Sequence, residues 1–216
     1  LYSKYKNSLD DDAVRYISRI QKSAERMQGL ITDILEFSKV SYDNNSYIHT
    51  DLNVLVDEVI TDLEPTITEK KAKINIKPLP SIEVKPGLMR PLLSNLIENA
   101  LKYSKKDVPP EINIYAERNW EDHKKKPAKK NGKEFCKIFV QDNGIGFDQK
   151  YAEQIFDMFV RLHGNSEYEG TGIGLALCKQ IVEKHEGFIS ALSKENEGAT
   201  FIISLPLKSE KITETV

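Results

Sequence analysis

Cysteine is scarce in this chain, with two residues in 216, Cys136 and Cys178. Both fall in apolar patterns, one strand-like and one helical, so they read as small core residues. Reduced thiols and a cytosolic setting are expected, and a disulfide framework is not. No apolar run approaches bilayer length, and no secretory leader opens the chain. Neither charge sign is in excess: 31 basic residues against 33 acidic ones leave a net charge of −2, with no general pull towards nucleic acid or anionic membrane. No internal repeat is evident. The phosphate-binding pattern Gly-x-x-x-x-Gly-Lys-[Ser/Thr] does not occur. The four histidines, His49, His123, His163 and His185, form no ligand-spaced cluster. At this length the chain holds one ordinary domain plus an appendage.

What is present centres on Asn95 to Ser104. Leu92, Leu93, Leu96, Ile97, Ala100 and Leu101 recur at helical spacing and predict one buried stripe. Asn95, Glu98, Asn99, Lys102 and Tyr103 recur at three- and four-residue intervals on another face. Two amides, a carboxylate, a lysine and a phenol gathered there suit a divalent cation and the phosphates attached to it. A solvated helix face would look the same in isolation, so the downstream segments decide. Asp142-Asn143-Gly144-Ile145-Gly146-Phe147 closes the alternating run Phe135 to Val140 and reads as a turn leaving a strand. Gly170-Thr171-Gly172-Ile173-Gly174-Leu175 opens a helical pattern through Leu177 and Ile181. Glycines at a helix start let backbone N–H groups approach a phosphate, and the helix dipole favours the anion.

The order Asn-x-x-x-Asn, Asp-x-Gly-x-Gly, Gly-x-Gly-x-Gly resembles the ATP-binding domain of sensor histidine kinases, within the Bergerat-fold superfamily shared with gyrase, Hsp90 and MutL. Phe156-Asp157-Met158-Phe159 matches that family's F box, and Gly198-Ala199-Thr200-Phe201 precedes the last strand as it does there. The resemblance implies an α+β fold: a Bergerat-type α/β sandwich, a mixed sheet with helices on one face, preceded by a helical stem. It implies ATP and Mg²⁺ as cofactors. Asn99 and Asn95 would ligate Mg²⁺ through their amide oxygens, as hard-oxygen coordination requires. Lys102 would face phosphate and Tyr103 would border the nucleotide. Asp142 would accept a hydrogen bond from the adenine amine, selecting adenine over guanine, whose corresponding group is an acceptor. Gly144 and Gly146 would allow close backbone approach, with Thr200 a second adenine contact. Gly170, Thr171, Gly172, Gly174 and Leu175 would line the phosphates, and Arg161 would stabilise charge on the transferring group. His163 and His185 read as structural or solvated.

The remaining chain fits the same frame. Ala13, Ile17, Ile20, Ala24, Met27, Ile31 and Ile34 form a heptad seam that calls for partner helices, and Leu30, Leu35 and Phe37 widen it to bundle width. By resemblance, Ala13 to Val40 is the second helix of a dimerisation and phosphotransfer hairpin, with Leu1 to Leu9 ending the first; folding of this stripe back on its own domain is the alternative. The expected divisions are a partial stem over 1–42, a linker and first strand over 43–50, the ATP-binding domain over 51–208 and a tail over 209–216. Strands are expected at Tyr47 to Thr50, Ile74 to Lys77, Ile82 to Val84, Glu111 to Ala116, Phe135 to Gln141, Phe188 to Ser193 and Thr200 to Leu205. Helices are expected after Asp51 and after Pro86-Gly87, with a short one over Gln149 to Phe156. The basic run within Arg118 to Lys133 reads as a solvated hairpin loop, with Trp120 packing at its start. Val160 to Glu169 reads as a mobile ATP lid by the resemblance.

Hydrolysing relatives carry Glu four residues before the second asparagine, to activate water. This chain has Asn95, and an amide takes no proton from water. The resemblance therefore implies a protein-histidine kinase core, with a response-regulator receiver domain as partner, a homodimer through the stem, no nucleic acid, and a parent whose upstream segments have room for a membrane anchor. A Bergerat ATPase or a nucleotide-binding scaffold without chemistry is the alternative. The family's His-[Glu/Asp]-x-x-x-Pro-Leu box is absent from these residues, so the acceptor histidine is expected upstream of Leu1.

Overall fold

The computed structural model describes residues 10–118, 134–162 and 170–207. The first stem segment, the loop carrying Trp120 and His123, the lid residues 163–169 and the tail lie outside the described residues. Eleven elements follow in chain order: α1 (Asp11–Tyr42), β1 (Ile48–Asp51), α2 (Leu52–Glu69), β2 (Lys73–Ile76), β3 (Ser81–Val84), α3 (Pro86–Lys102), β4 (Glu111–Arg118), β5 (Phe135–Asp142), α4 (Gly174–Lys184), β6 (Phe188–Lys194) and β7 (Gly198–Pro206). Aspartate side chains cap the first two helices. Asp10 accepts from the Ala13 amide at 2.6 Å to start α1, and Asp51 accepts from the Asn53 amide at 2.9 Å to start α2. Pro86 opens α3, where its missing N–H has no intrahelical partner to lose.

The sheet runs β2-β4-β5-β7-β6, with β2 parallel to β4 and every other pair antiparallel. Alternation along β5 puts Cys136, Ile138 and Val140 into the core and Phe135, Lys137 and Phe139 on the outer face. Helices α2, α3 and α4 cover the inner face, and β1 and β3 pair as a separate two-stranded ribbon. The predicted α3 stripe is the centre of the core: Leu92, Leu93, Leu96 and Ile97 are fully buried. Each such side chain contributes about 1.5–3 kcal/mol. This is the expected mixed sheet with helices on one face.

Two expectations are corrected. Gln149 to Phe156 is not one helix but two single 3-10 turns, Gln149–Tyr151 and Gln154–Phe156. The backbone closes i→i+3, with Ala152 N–H to Gln149 O and Asp157 N–H to Gln154 O, and this turns the adjacent pair Ile155 and Phe156 together into the core. In α1 the heptad seam is open to solvent, with Ile20 67% and Met27 63% exposed. The helix rests on α4 instead through a second stripe, Leu30, Asp33, Phe37 and Val40, which also recurs at helical spacing.

A buried polar clasp holds the chain after α1 to the domain. Lys85 Nζ lies 3.1 Å from the Asp43 carbonyl and 3.3 Å from its carboxylate. The Lys85 backbone N–H donates to His185 Nε2 at 3.0 Å, so the ring proton sits on Nδ1, which donates to the Ile181 carbonyl at 2.7 Å. Tyr47 stands edge-on to that ring and its hydroxyl donates to the Lys184 carbonyl at 2.9 Å. His185 is structural, as expected of it. Gln180 and Lys184 on α4 add hydrogen bonds to Ser41.

Candidate functional site

The polar face of α3, the turn after β5 and the start of α4 enclose two compartments that share Asn99, Tyr103, Ile155, Val160, Arg161 and Leu175. The first is an apolar slot that opens to solvent at its mouth. Ile145, Gly146, Phe147, Leu162, Ala199 and Phe201 also line it, and among the described residues its only carboxylate is Asp142. One oxygen of Asp142, Oδ1, accepts from the amides of Gly144 at 2.8 Å and Ala199 at 3.2 Å. The other accepts from no described residue, so the slot presents a fixed acceptor to an amine. Burial pushes the Asp142 carboxyl above the ordinary carboxylate range, opposed by those two amides and by the charge of Lys105.

The second compartment is polar, lined by Asn95, Glu98, Asn99, Lys102, Gly170, Thr171, Gly172, Gly174 and, from α1, Asp33. The Asn95 amide nitrogen donates to the Pro91 carbonyl at 2.9 Å, which turns its oxygen towards the start of α4. Asn99 makes no side-chain hydrogen bond among the described residues. Lys102 Nζ stands 4.7 Å from the Tyr103 ring centre and has no carboxylate partner among the described residues. Glu98 does not pair with Lys102; it takes the Ser94 hydroxyl at 2.6 Å. Arg161 Nη1 donates to the Gly170 carbonyl at 2.9 Å. Helix α4 begins without a side-chain cap, leaving its first-turn N–H groups as donors.

Glycine is required here for reasons of contact. A Cβ on Gly174 would stand 2.5 Å from Asn95 Oδ1, and one on Gly170 would stand 2.5 Å from Lys102 Nζ. A side chain at either position would displace Asn95 or Lys102 from its place on the polar face of α3. Gly144 and Gly146 are also required by the chain's own packing. A Cβ on Gly144 would meet the Tyr103 carbonyl at 2.5 Å, and Gly146, at φ 60°, packs on the Lys194 carbonyl.

The structure thus gathers Asn95, Asn99, Lys102, Tyr103, Asp142, Gly146, Arg161, Gly170, Thr171, Gly172, Gly174 and Leu175 around one cavity. Thr200 is not among them. Ala199 and Phe201 line the slot, and strand alternation turns Thr200 to the opposite face. Beside it the backbone N–H of Ala199 donates to Asp142 Oδ1, a contact to which no residue-type pattern could have pointed. Asp33 was also missed, because its place depends on how α1 docks.

The family model described as histidine kinase-, DNA gyrase B- and HSP90-like ATPase matches residues 85–209. The chain belongs to this ATPase family. Phytochrome-like protein Cph1 of Synechocystis sp. is 36% identical over 208 residues, 96% of this chain and 26% of that protein. Sensor protein kinase WalK of Staphylococcus haemolyticus is 33% identical over 207 residues, 91% of this chain and 31% of its own length. The chain therefore spans about a quarter to a third of the curated relatives it matches. Histidine kinase ThkA, solved in complex with response regulator protein TrrA, superposes with a TM-score of 0.67 at 22% identity, covering 97% of this chain and 56% of that one. That likeness is one of fold.

Proposed function

We propose that this member of the ATPase family is the catalytic core of a sensor histidine kinase. It would move the γ-phosphoryl group of ATP to a histidine nitrogen, for relay to a response-regulator aspartate. The arrangement of donors and acceptors fits the nucleotide. The unengaged Asp142 oxygen suits the adenine amine, the apolar slot suits the ring, and Lys102 with the α4 amides suits phosphate. Mg²⁺ fits as well, because Asn95 and Asn99 both offer amide oxygens to the polar compartment. When bound, the ion would neutralise phosphate charge and hold the phosphates in one geometry.

The chain's own residues supply position and charge. Asp142 fixes the base, and the glycine segment and Lys102 hold the phosphates. Arg161 borders both compartments, where its guanidinium would offset charge as the β–γ bridging P–O bond breaks and a P–N bond to imidazole forms, leaving ADP. The observation that carries transfer over hydrolysis is Asn95. An amide stands where water activation needs a carboxylate, and Glu98 is held by Ser94. The relationship to the WalK sensor kinase supports the same reading.

No histidine of these residues suits the acceptor role: none has the box, and His185 is buried with both ring nitrogens engaged. The acceptor is a histidine outside residues 1–216, on a stem helix that meets the exposed seam of α1, and that seam is also the surface for a homodimer. The complex of ThkA with TrrA supports a receiver domain as partner. Mass spectrometry of a separate box-bearing stem fragment, incubated with this chain and Mg·ATP, tests the proposal. Phosphohistidine on the fragment supports it, and an unmodified fragment alongside consumed ATP contradicts it.

A further inference from the structure

Among the described residues, Asp33 is the one α1 side chain that lines the polar compartment. The Thr171 hydroxyl, in the glycine segment, donates to the Asp33 carboxylate, while its oxygen accepts weakly from the Ile173 amide at 3.4 Å. Asp33 has no ion-pair partner among the described residues, although Lys102 and Arg161 line the same compartment. A carboxylate from the stem therefore sits at the phosphate end of the cavity, taking a donor that a phosphate oxygen would otherwise take.

We infer that Asp33 is an autoinhibitory latch. Its carboxylate stands in for a phosphate oxygen at Thr171, and the terminal phosphate of the nucleotide must displace it. This rests on the nucleotide reading above and adds its regulation. Two physical effects act in the same direction. A charge-assisted O–H···O⁻ bond is stronger than a neutral one, so the hydroxyl is not surrendered without compensation. An anion beside another anion in a partly buried cavity is repelled, and effective dielectric constants there are well below that of water. Binding linkage is reciprocal, so terminal phosphate that evicts Asp33 must also loosen α1 from α4 by the same free energy. The latch thus couples occupancy of the site to release of the stem, the element that the proposed reaction needs free to meet its acceptor.

The test uses the full chain, with Mg·AMPPNP and Mg·ADP titrated calorimetrically into the parent, Asp33→Asn, Thr171→Val and the double variant. Asp33 is partly exposed, so Asp33→Asn removes charge without disturbing the core. Its affinity for AMPPNP is expected to rise about fivefold or more, with a smaller rise for ADP, which lacks the competing phosphate. The gain should shrink on the Thr171→Val background, where the hydroxyl in dispute is gone. Hydrogen exchange across 30–42 should quicken in the parent when AMPPNP binds. A parent that binds AMPPNP normally, with Asp33→Asn unchanged or weaker, overturns the latch alone. A parent and variant that both fail to bind overturn the latch together with the nucleotide reading.

Discussion

Asp142 meets opposing demands. In the proposed role it is buried to read a base edge, and burial penalises the ionised form that role needs, raising its pKa above the ordinary 3.8 against the pull of two backbone amides and Lys105. A carboxyl whose folded pKa is raised binds more protons folded than unfolded, so ionised Asp142 costs stability at neutral pH. Asp142→Asn keeps an acceptor for the Gly144 and Ala199 amides while removing that charge. It should leave thermal stability unchanged or higher, yet weaken ATP binding by at least about tenfold, from loss of a charge-assisted hydrogen bond. The parent's affinity should also fall on acidification, beginning above the ordinary carboxylate range, and the variant's should not. Calorimetry across pH reads both outcomes, and equal ATP binding by parent and variant would remove the adenine contact. That Asp142, Asn95, Asn99 and Lys102 border one cavity was legible because their spacing is helical or glycine-bounded. The place of Ala199 was not, since a backbone N–H carries no residue signature, and Thr200 next to it lies on the opposite face of its strand.

The link between α1 and the domain rests on the clasp formed by Asp43, Tyr47, Lys85 and His185. Burial lowers the His185 pKa below its usual 6.5, helped by the charge of Lys85 and opposed by its bond to Ile181 and by Asp43. A histidine with a lowered folded pKa leaves stability untouched above the usual value and removes it as pH falls below that value. Unfolding by urea should therefore show stability declining between about pH 7 and pH 5, with a slope approaching one proton. His185→Asn, which retains a donor and an acceptor, should flatten that slope. An unchanged slope in the variant would place the titration elsewhere. Strands and helices were legible to within a few residues, because alternation and three-to-four spacing are set by the one-sided core. Gln149 to Phe156 was not, since a segment of eight residues with adjacent buried Ile155 and Phe156 has no clear period. The docking stripe of α1 was hidden too, because Leu30 and Phe37 belong to it and also widen the heptad seam.

For the whole molecule, the sheet with helices on one face was legible, and the seat of α1 on α4 was not, since two stripes compete on one helix. The consequence is an apolar seam left open on the outside, with Ile20, Met27, Ile31 and Ile34 all largely exposed. Light scattering should show concentration-dependent self-association that weakens when Ile20 and Met27 are both changed to Lys, with the nucleotide site intact. A strict monomer at high concentration would mean that α1 has no partner surface. In the proposed function the site transfers phosphoryl groups to histidine, with Asn95 unable to activate water. The most direct measurement is how γ-phosphate partitions when the chain is given Mg·ATP and a box-bearing stem fragment, with acid-labile phosphohistidine and free phosphate followed together. The account predicts label on the fragment exceeding phosphate released, and loss of that label in Asn99→Ala. Rapid phosphate release with no labelled histidine would contradict it.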